Sequence, residues 1–202
     1  MADLVASYSE AHKDGNSAMA KADYAFGECF HGANYNITLA KFYMYRIGAT
    51  VATATARLYA MTGTFGNGGK PTGAALATSD VVDLSTLGTS YGLIDFAFSG
   101  GEQYAMEAGV DYVIAIYINT RSSGTPICGV DNTSPTYEGN MSVYNFGNWN
   151  ASSSDLIFYV YGDEIVVTSD IKSVNGVLIA SVKEFDGLPI ADVKSIVGVA
   201  NS

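Results

Sequence analysis

Residues 39–61, LAKFYMYRIGATVATATARLYAM, decide the fold class, because their apolar positions recur every second residue. In the first part Ala40, Phe42 and Met44 share one face while Lys41, Tyr43 and Tyr45 share the other. In the second part Ala54, Ala56, Leu58 and Ala60 oppose Thr53, Thr55, Arg57 and Tyr59. Successive side chains of a strand point to opposite faces, so both stretches are expected to be strands with one buried face. Further along, YGLIDFAFSG (91–100) repeats the pattern with Ile94, Phe96 and Phe98. VDYVIAIYI (110–118) and LIFYVYG (156–162) are apolar on both faces, as central strands of a two-layer core are.

Gly, Asn, Ser and Thr clusters separate these runs: GTFGNGGKPTG (63–73), SGGEQ (99–103), NTRSSGTP (119–126), DNTSPTYEGN (131–140) and GNWNASSS (147–154). Short strands at such spacing imply an antiparallel sandwich rather than alternating strands and helices. YAMEAGVDY (104–112) reads as strand, turn, strand. The best helical candidate is EAHKDGNSAMAKA (10–22), a turn or two interrupted by Gly15 and Asn16.

Composition bounds the partners. Hydrophobic residues make up 48% and charged residues 15%, which excludes a disordered polyelectrolyte. The formal charge of −10 argues against nucleic acid, whose binders need cations to displace phosphate counterions, and against an anionic membrane surface. The longest apolar stretches, such as Tyr112 to Ile118, have strand length, well short of the ~20 residues that span a bilayer. MADLVASYSEAHKD (1–14) has neither a basic leader nor an apolar block, so no secretory signal is expected. Cys29 and Cys128 supply neither a disulfide framework nor a metal spacing; reduced thiols are expected in a chain made without export, a single bridge being the alternative.

After Gly162 the texture changes. IKSVNGVLIAS (171–181), VKEFDGLPIAD (182–192) and VKSIVGVANS (193–202) align as three copies with an 11-residue step. Apolar residues recur at Ile171, Val182 and Val193, at Val174, Phe185 and Ile196, and at Val177, Leu188 and Val199. A fully extended copy would run about 36 Å. Each is therefore expected to bend, at Asn175-Gly176 and Asp186-Gly187 in the first two copies. The copies form either a short meander folded back on the main domain or a docking segment. Docking is preferred, because fewer than ~40 residues rarely build a core and repeat units need stacked neighbours.

KFYMYRIGATVATATARLYAMTGTFGNGGKPTGAALATSDVVDLSTLGTSYGLIDFAFSG (41–100) resembles a jelly-roll module of phage virion proteins, which also occurs in some secreted bacterial proteins. The similarity continues through AGVDYVIAIYI (108–118), GVDNTSPTYEGN (129–140) and LIFYVYGD (156–163), so it covers roughly 20–163. The pattern is similar to that of carbohydrate-binding jelly rolls, and the closing repeats resemble tails of phage structural proteins. No attachment motif is recognisable in residues 1–19. The resemblance implies an all-β chain: an antiparallel jelly-roll β-sandwich over 1–163, with 1–20 as an N-terminal segment, then a β-hairpin repeat tail over 164–202. It further implies a non-enzymatic virion surface protein, such as a capsid decoration, head fibre or other appendage. Its partners would be further copies of itself, a trimer by analogy with virion appendages, other virion proteins and host surface glycans. A soluble or cell-surface carbohydrate-binding module or adhesin is the alternative.

Chemistry-bearing residues are few. His12 and His31 have no carboxylate or cysteine at a triad or metal spacing. Asp131, Glu138 and Asp155 are the nominees for a glycosidase pair, though carboxylates in such loops usually only form solvated turns. GTFGNGGKPTG lacks the following helix of a phosphate loop. Sugar recognition needs an aromatic for the apolar ring face and Asn, Asp or Arg for the hydroxyls. Tyr43, Tyr45, Tyr59, Trp149, Asn148 and Asn150 are the candidates. The same aromatics also suit the cover of a second sheet or a subunit interface, and that use is preferred. For a structural calcium ion the candidate ligands are Asp131, Asn132 and Glu138. No other cofactor is expected. Asn-x-Ser/Thr matches at Asn36, Asn132, Asn140 and Asn150 reflect loop composition.

Overall fold

A computed structural model describes residues 2–165 and, beyond them, four short strands at 173–174, 177–178, 184–185 and 188–189. The chain divides into two compact units, Met1–Ile165 and Val166–Ser202. Among the described residues there is no α-helix, only single 3-10 turns at Glu10–His12, Leu84–Thr86 and Gly100–Glu102.

The strands of the first unit are β1 (Asp3–Tyr8), β2 (Gly15–Ala18), β3 (Ala25–His31), β4 (Tyr35–Thr62), β5 (Lys70–Thr78), β6 (Val82–Asp83), β7 (Gly92–Ala97), β8 (Ala105–Met106), β9 (Asp111–Asp131), β10 (Met141–Asn145), β11 (Asn148–Ala151), β12 (Asp155–Leu156) and β13 (Phe158–Glu164). They form one antiparallel sheet with the path β1-β13-β4-β9-β3-β10-β11, to which the shorter strands add at β4 and β9.

Its backbone is a long ribbon of β4 against β9, paired from Met44↔Cys128 to Ala60↔Tyr112. Midway the register slips between Ile47 and Val51, where Gly48 (φ 74°) and Gly124 (φ 62°) adopt the left-handed conformation. A Cβ on Gly124 would lie 2.5 Å from the Thr50 Cα, so only glycine lets the two strands pass this closely. Pairing resumes at Val51↔Ser123, so the ribbon continues past the irregularity. Over Leu39–Phe42 β4 lies between β13 and β7; over Arg57–Ala60 it lies between β9 and β5. The sheet thereby folds over on itself. Phe30 on β3 and Phe158 on β13 belong to strands that do not pair, yet their rings are 6.4 Å apart in the core.

The alternation reads through. Ala40, Phe42, Met44, Ala54, Ala56, Leu58, Phe96 and Phe98 are all buried in the main core. The central strand β9 is buried on both faces: Ile114 and Ile116 enter the main core, while Val113 and Ala115 join Cys29 and Tyr59 in a second, smaller one. Trp149, Met61 and Phe65 cover that second core.

Three expectations change. NTRSSGTP is not a connecting loop, because β9 runs through it, supported by the matching irregularity in β4. GNWNASSS is partly strand: β10 turns at Phe146-Gly147 and returns as β11. Residues 10–22 keep a single 3-10 turn and then extend as β2, whose ladder to β9 outweighs weak helix propensity. Residues 3–18 thus contribute β1 and β2 to the sheet. Cys29 and Cys128 are free and buried in different cores.

In the second unit, β14 (Ser173–Val174) pairs with β15 (Val177–Leu178), and β16 (Glu184–Phe185) with β17 (Leu188–Pro189). Two of the repeated apolar positions face each other across each ladder, Val174↔Val177 and Phe185↔Leu188. Ile171, Val182, Val193, Ile196 and Val199, the two bend dipeptides and the whole third copy lie outside the described residues.

Candidate functional site

The aromatic candidates separate into two places. Tyr43 and Tyr45, before the irregularity in β4, pack on Tyr91 with ring centroids 4.8 and 4.5 Å away. Lys13 Nζ lies 4.8 Å above Tyr91, and the Tyr91 hydroxyl donates to Asn16. These rings are half-buried against one another and against β9 at Gly129. Tyr59, beyond the irregularity, is only 7% exposed, since Trp149 packs edge-on over it at 5.9 Å. Of the two uses open to Tyr59, its ring serves as part of a covered core. Alternation names its face rightly, but that face is itself a covered core. Asn148 and Asn150 flank Trp149 on β11 and are exposed, with only local hydrogen bonds.

The carboxylates gather differently from the sequence reading. Glu28 lies between Phe26 and Phe30 on β3 and is fully buried. Its Oε2 accepts the Leu156 N–H at 2.7 Å, and among the described residues its Oε1 has no partner. Burial holds its carboxyl well above the ordinary range, and the nearby Asp155 adds to this. Asp155 on β12 stands opposite Asp131 on β9. Burial pushes Asp155 up to about 6, with Asp131 contributing, although its Oδ2 accepts the Tyr137 N–H at 2.9 Å. Asp131 accepts from the Tyr8 hydroxyl at 2.7 Å and from the Ser134 N–H at 3.2 Å.

A cavity of about 460 Å³ opens beside this network, lined among others by Tyr137, Asn140, Ser152, Ser153 and Asp155. Asn140 closes one wall. Its Oδ1 accepts from the Gly68 and Gly69 N–H groups, and its Nδ2 donates to the Gly69 and Met141 carbonyls. This Asn-x-Ser match is therefore a buried clamp on the 63–69 loop. Glu138 is exposed on its loop, apart from the buried Asp131 and Asp155. Of the three nominated carboxylates only Asp155 lines the cavity, and Glu28 is fully buried.

Of the calcium candidates, Asp131 is buried, while Asn132 and Glu138 are exposed. The Asp131 carboxylate is engaged by Tyr8 and Ser134, and the Asn132 side chain lies against Gly15. The Asn132 and Thr133 N–H groups are bound by Asp14, which takes over the ordering of this loop. Among the described residues no three His, Cys, Asp or Glu side chains converge on one point. Strand pairing of β3 with β9 gives His31 a carboxylate that its sequence neighbours lack: its Nδ1 lies 2.6 Å from Asp111 Oδ1. Its ring stacks on Phe65 at 3.9 Å, and no hydroxyl or thiol among the described residues bonds to it. His12 stacks on Tyr8.

Sequence reasoning missed Glu28, although a signal was there: an acid at an inward position between two phenylalanines. Asp14, Tyr91 and Asn140 carried no local signal, because each acts on a segment more than 70 residues away. No protein-family model matches this chain, and no match is found among curated proteins or solved structures.

Proposed function

We propose that this chain is a non-enzymatic structural protein of a phage virion surface, a capsid decoration, head fibre or comparable appendage, built on a jelly-roll body. The observation that carries the reading is the division into a β-body, Met1–Ile165, and a separate unit, Val166–Ser202. The separate unit repeats an apolar pattern too short to build its own core. In this reading the repeats dock on further copies or on other virion proteins, and the body faces solvent. The resemblance of residues 41–100 to virion jelly-roll modules and the excess of acidic side chains support it, since like charge keeps dense arrays soluble. Weak adhesion to host glycans adds a second role, made effective by many copies on one particle.

Purified particles carrying the full-length chain, compared by mass spectrometry with particles made with a chain lacking residues 164–202, test the assignment. The full chain is expected in the particle and the truncated one is not. Equal incorporation of both would refute the docking role of the repeats.

A further inference from the structure

Among the described residues only two non-glycine positions have a left-handed backbone, Asp23 (φ 61°) and Phe146 (φ 50°). Both line the same cleft, of about 350 Å³, with Lys21, Tyr24, Tyr117 and Tyr144. Such conformations cost stability, and they cluster where function over-determines them.

The sheet builds this cleft in one row. Tyr117 on β9 pairs with Ala25 on β3, which pairs with Tyr144 on β10, so two tyrosines flank an alanine with their ring centroids 6.1 Å apart. Two residues beyond Tyr144, the β10–β11 hairpin turns on Phe146 and Gly147, both with positive φ. A type I′ turn favours Asn or Gly at these places. Phe146 instead strains the backbone and leaves its ring 81% exposed, neither of which stabilises the fold. The Tyr117 hydroxyl donates to Asp23 Oδ1 at 2.9 Å and so fixes that carboxylate. Arg57 lies 3.6 Å from the centre of the Tyr117 ring, held by Asn119 and Thr55. Lys21 Nζ lies 4.6 Å from the Phe146 centroid and 6.0 Å from that of Tyr24.

We propose that this cleft binds a neutral hexopyranose, the terminal sugar of a glycan. This deepens the adhesive half of the proposed function and does not depend on the docking half. Tyr144, and the faces of Phe146 and Tyr117 opposite Lys21 and Arg57, are the surfaces for the C–H side of a pyranose, while Asp23 and Lys21 supply an acceptor and a donor for its hydroxyls. A cationic ligand would meet an ammonium and a guanidinium already seated on the rings. A polyanionic one would approach against the net charge of −10.

The full chain is to be titrated with methyl α-glucopyranoside, methyl α-mannopyranoside and methyl α-galactopyranoside, followed by saturation-transfer NMR. A second readout is the fluorescence of Trp149, the single tryptophan, whose ring lies 5.3 Å from Tyr144. At least one glycoside is expected to receive saturation at its ring C–H protons, with a dissociation constant on the order of 1 mM. Phe146→Gly places at the turn the residue its backbone favours, so its melting temperature is expected to stay level or rise. Its sugar affinity is expected to fall at least about tenfold, and that of Tyr144→Ala likewise. The site is overturned if none of the three glycosides binds, if Phe146→Gly binds them as the unaltered chain does, or if tetramethylammonium or methyl glucuronide is preferred. Such a result alongside intact particle incorporation would remove the site and leave the docking reading standing.

Discussion

Glu28 and Asp155 set an unusual pH dependence. Asp155 rises from its ordinary 3.8 to about 6, and Glu28 is pushed well above its ordinary 4.5, both mainly through burial. A carboxyl raised in the folded state contributes stability that is full below its unfolded value and is lost as pH climbs through the folded one. Glu10 and Asp83, lowered by hydrogen bonds from Tyr159 and Ser85, act oppositely and lose their small contribution only near pH 4. The melting temperature is therefore expected to rise as pH is lowered from 8 to about 5. Asp155→Asn is expected to remove about 1.4 kcal/mol of that dependence over this interval, and Glu28→Gln to flatten it further. A melting temperature that falls steadily over this interval would refute the assignment. Asn140→Ala should cost about 1–3 kcal/mol by orphaning two loop N–H groups, and limited proteolysis should then cut within residues 63–69. None of these polar roles was visible in sequence except that of Glu28, because hydrogen bonds between distant segments leave no local pattern.

At the level of elements, period-two alternation located the inward faces of β4 and β7 and the double burial of β9, since burial repeats with the pleat of a strand. It failed where a strand bends. Arg121, Ser122, Ser123, Gly124 and Pro126 have turn composition, yet they lie inside β9 because β4 carries a compensating irregularity opposite. Pro126 stays in the sheet with its carbonyl accepting from the Met19 N–H. Gly124→Ala is expected to destabilise the body by about 2 kcal/mol or more, through positive φ and contact with Thr50. Thermal unfolding checks this, and an unchanged melting temperature would show that the ribbon does not depend on its glycine hinge. Which site candidates are covered was less legible for a related reason. Alternation assigns a face but not whether another element covers it, and Trp149 covers Tyr59 from four strands away along the sheet path.

For the whole molecule, charge is distributed unevenly. Residues 166–202 carry three lysines against four acidic residues, so nearly all of the net charge of −10 lies on the body. If the repeats associate, the bodies they gather repel one another, and screening should relieve that repulsion. Association is therefore expected to tighten as salt is raised from low to moderate concentration; weakening would point to ion pairs as the glue instead. Sedimentation of the full-length chain beside residues 1–165 alone tests the central claim most directly. An oligomer for the full chain and a folded monomer for the body are predicted. A full-length chain that remains monomeric at every concentration, or a body that assembles equally well without its repeats, would contradict it.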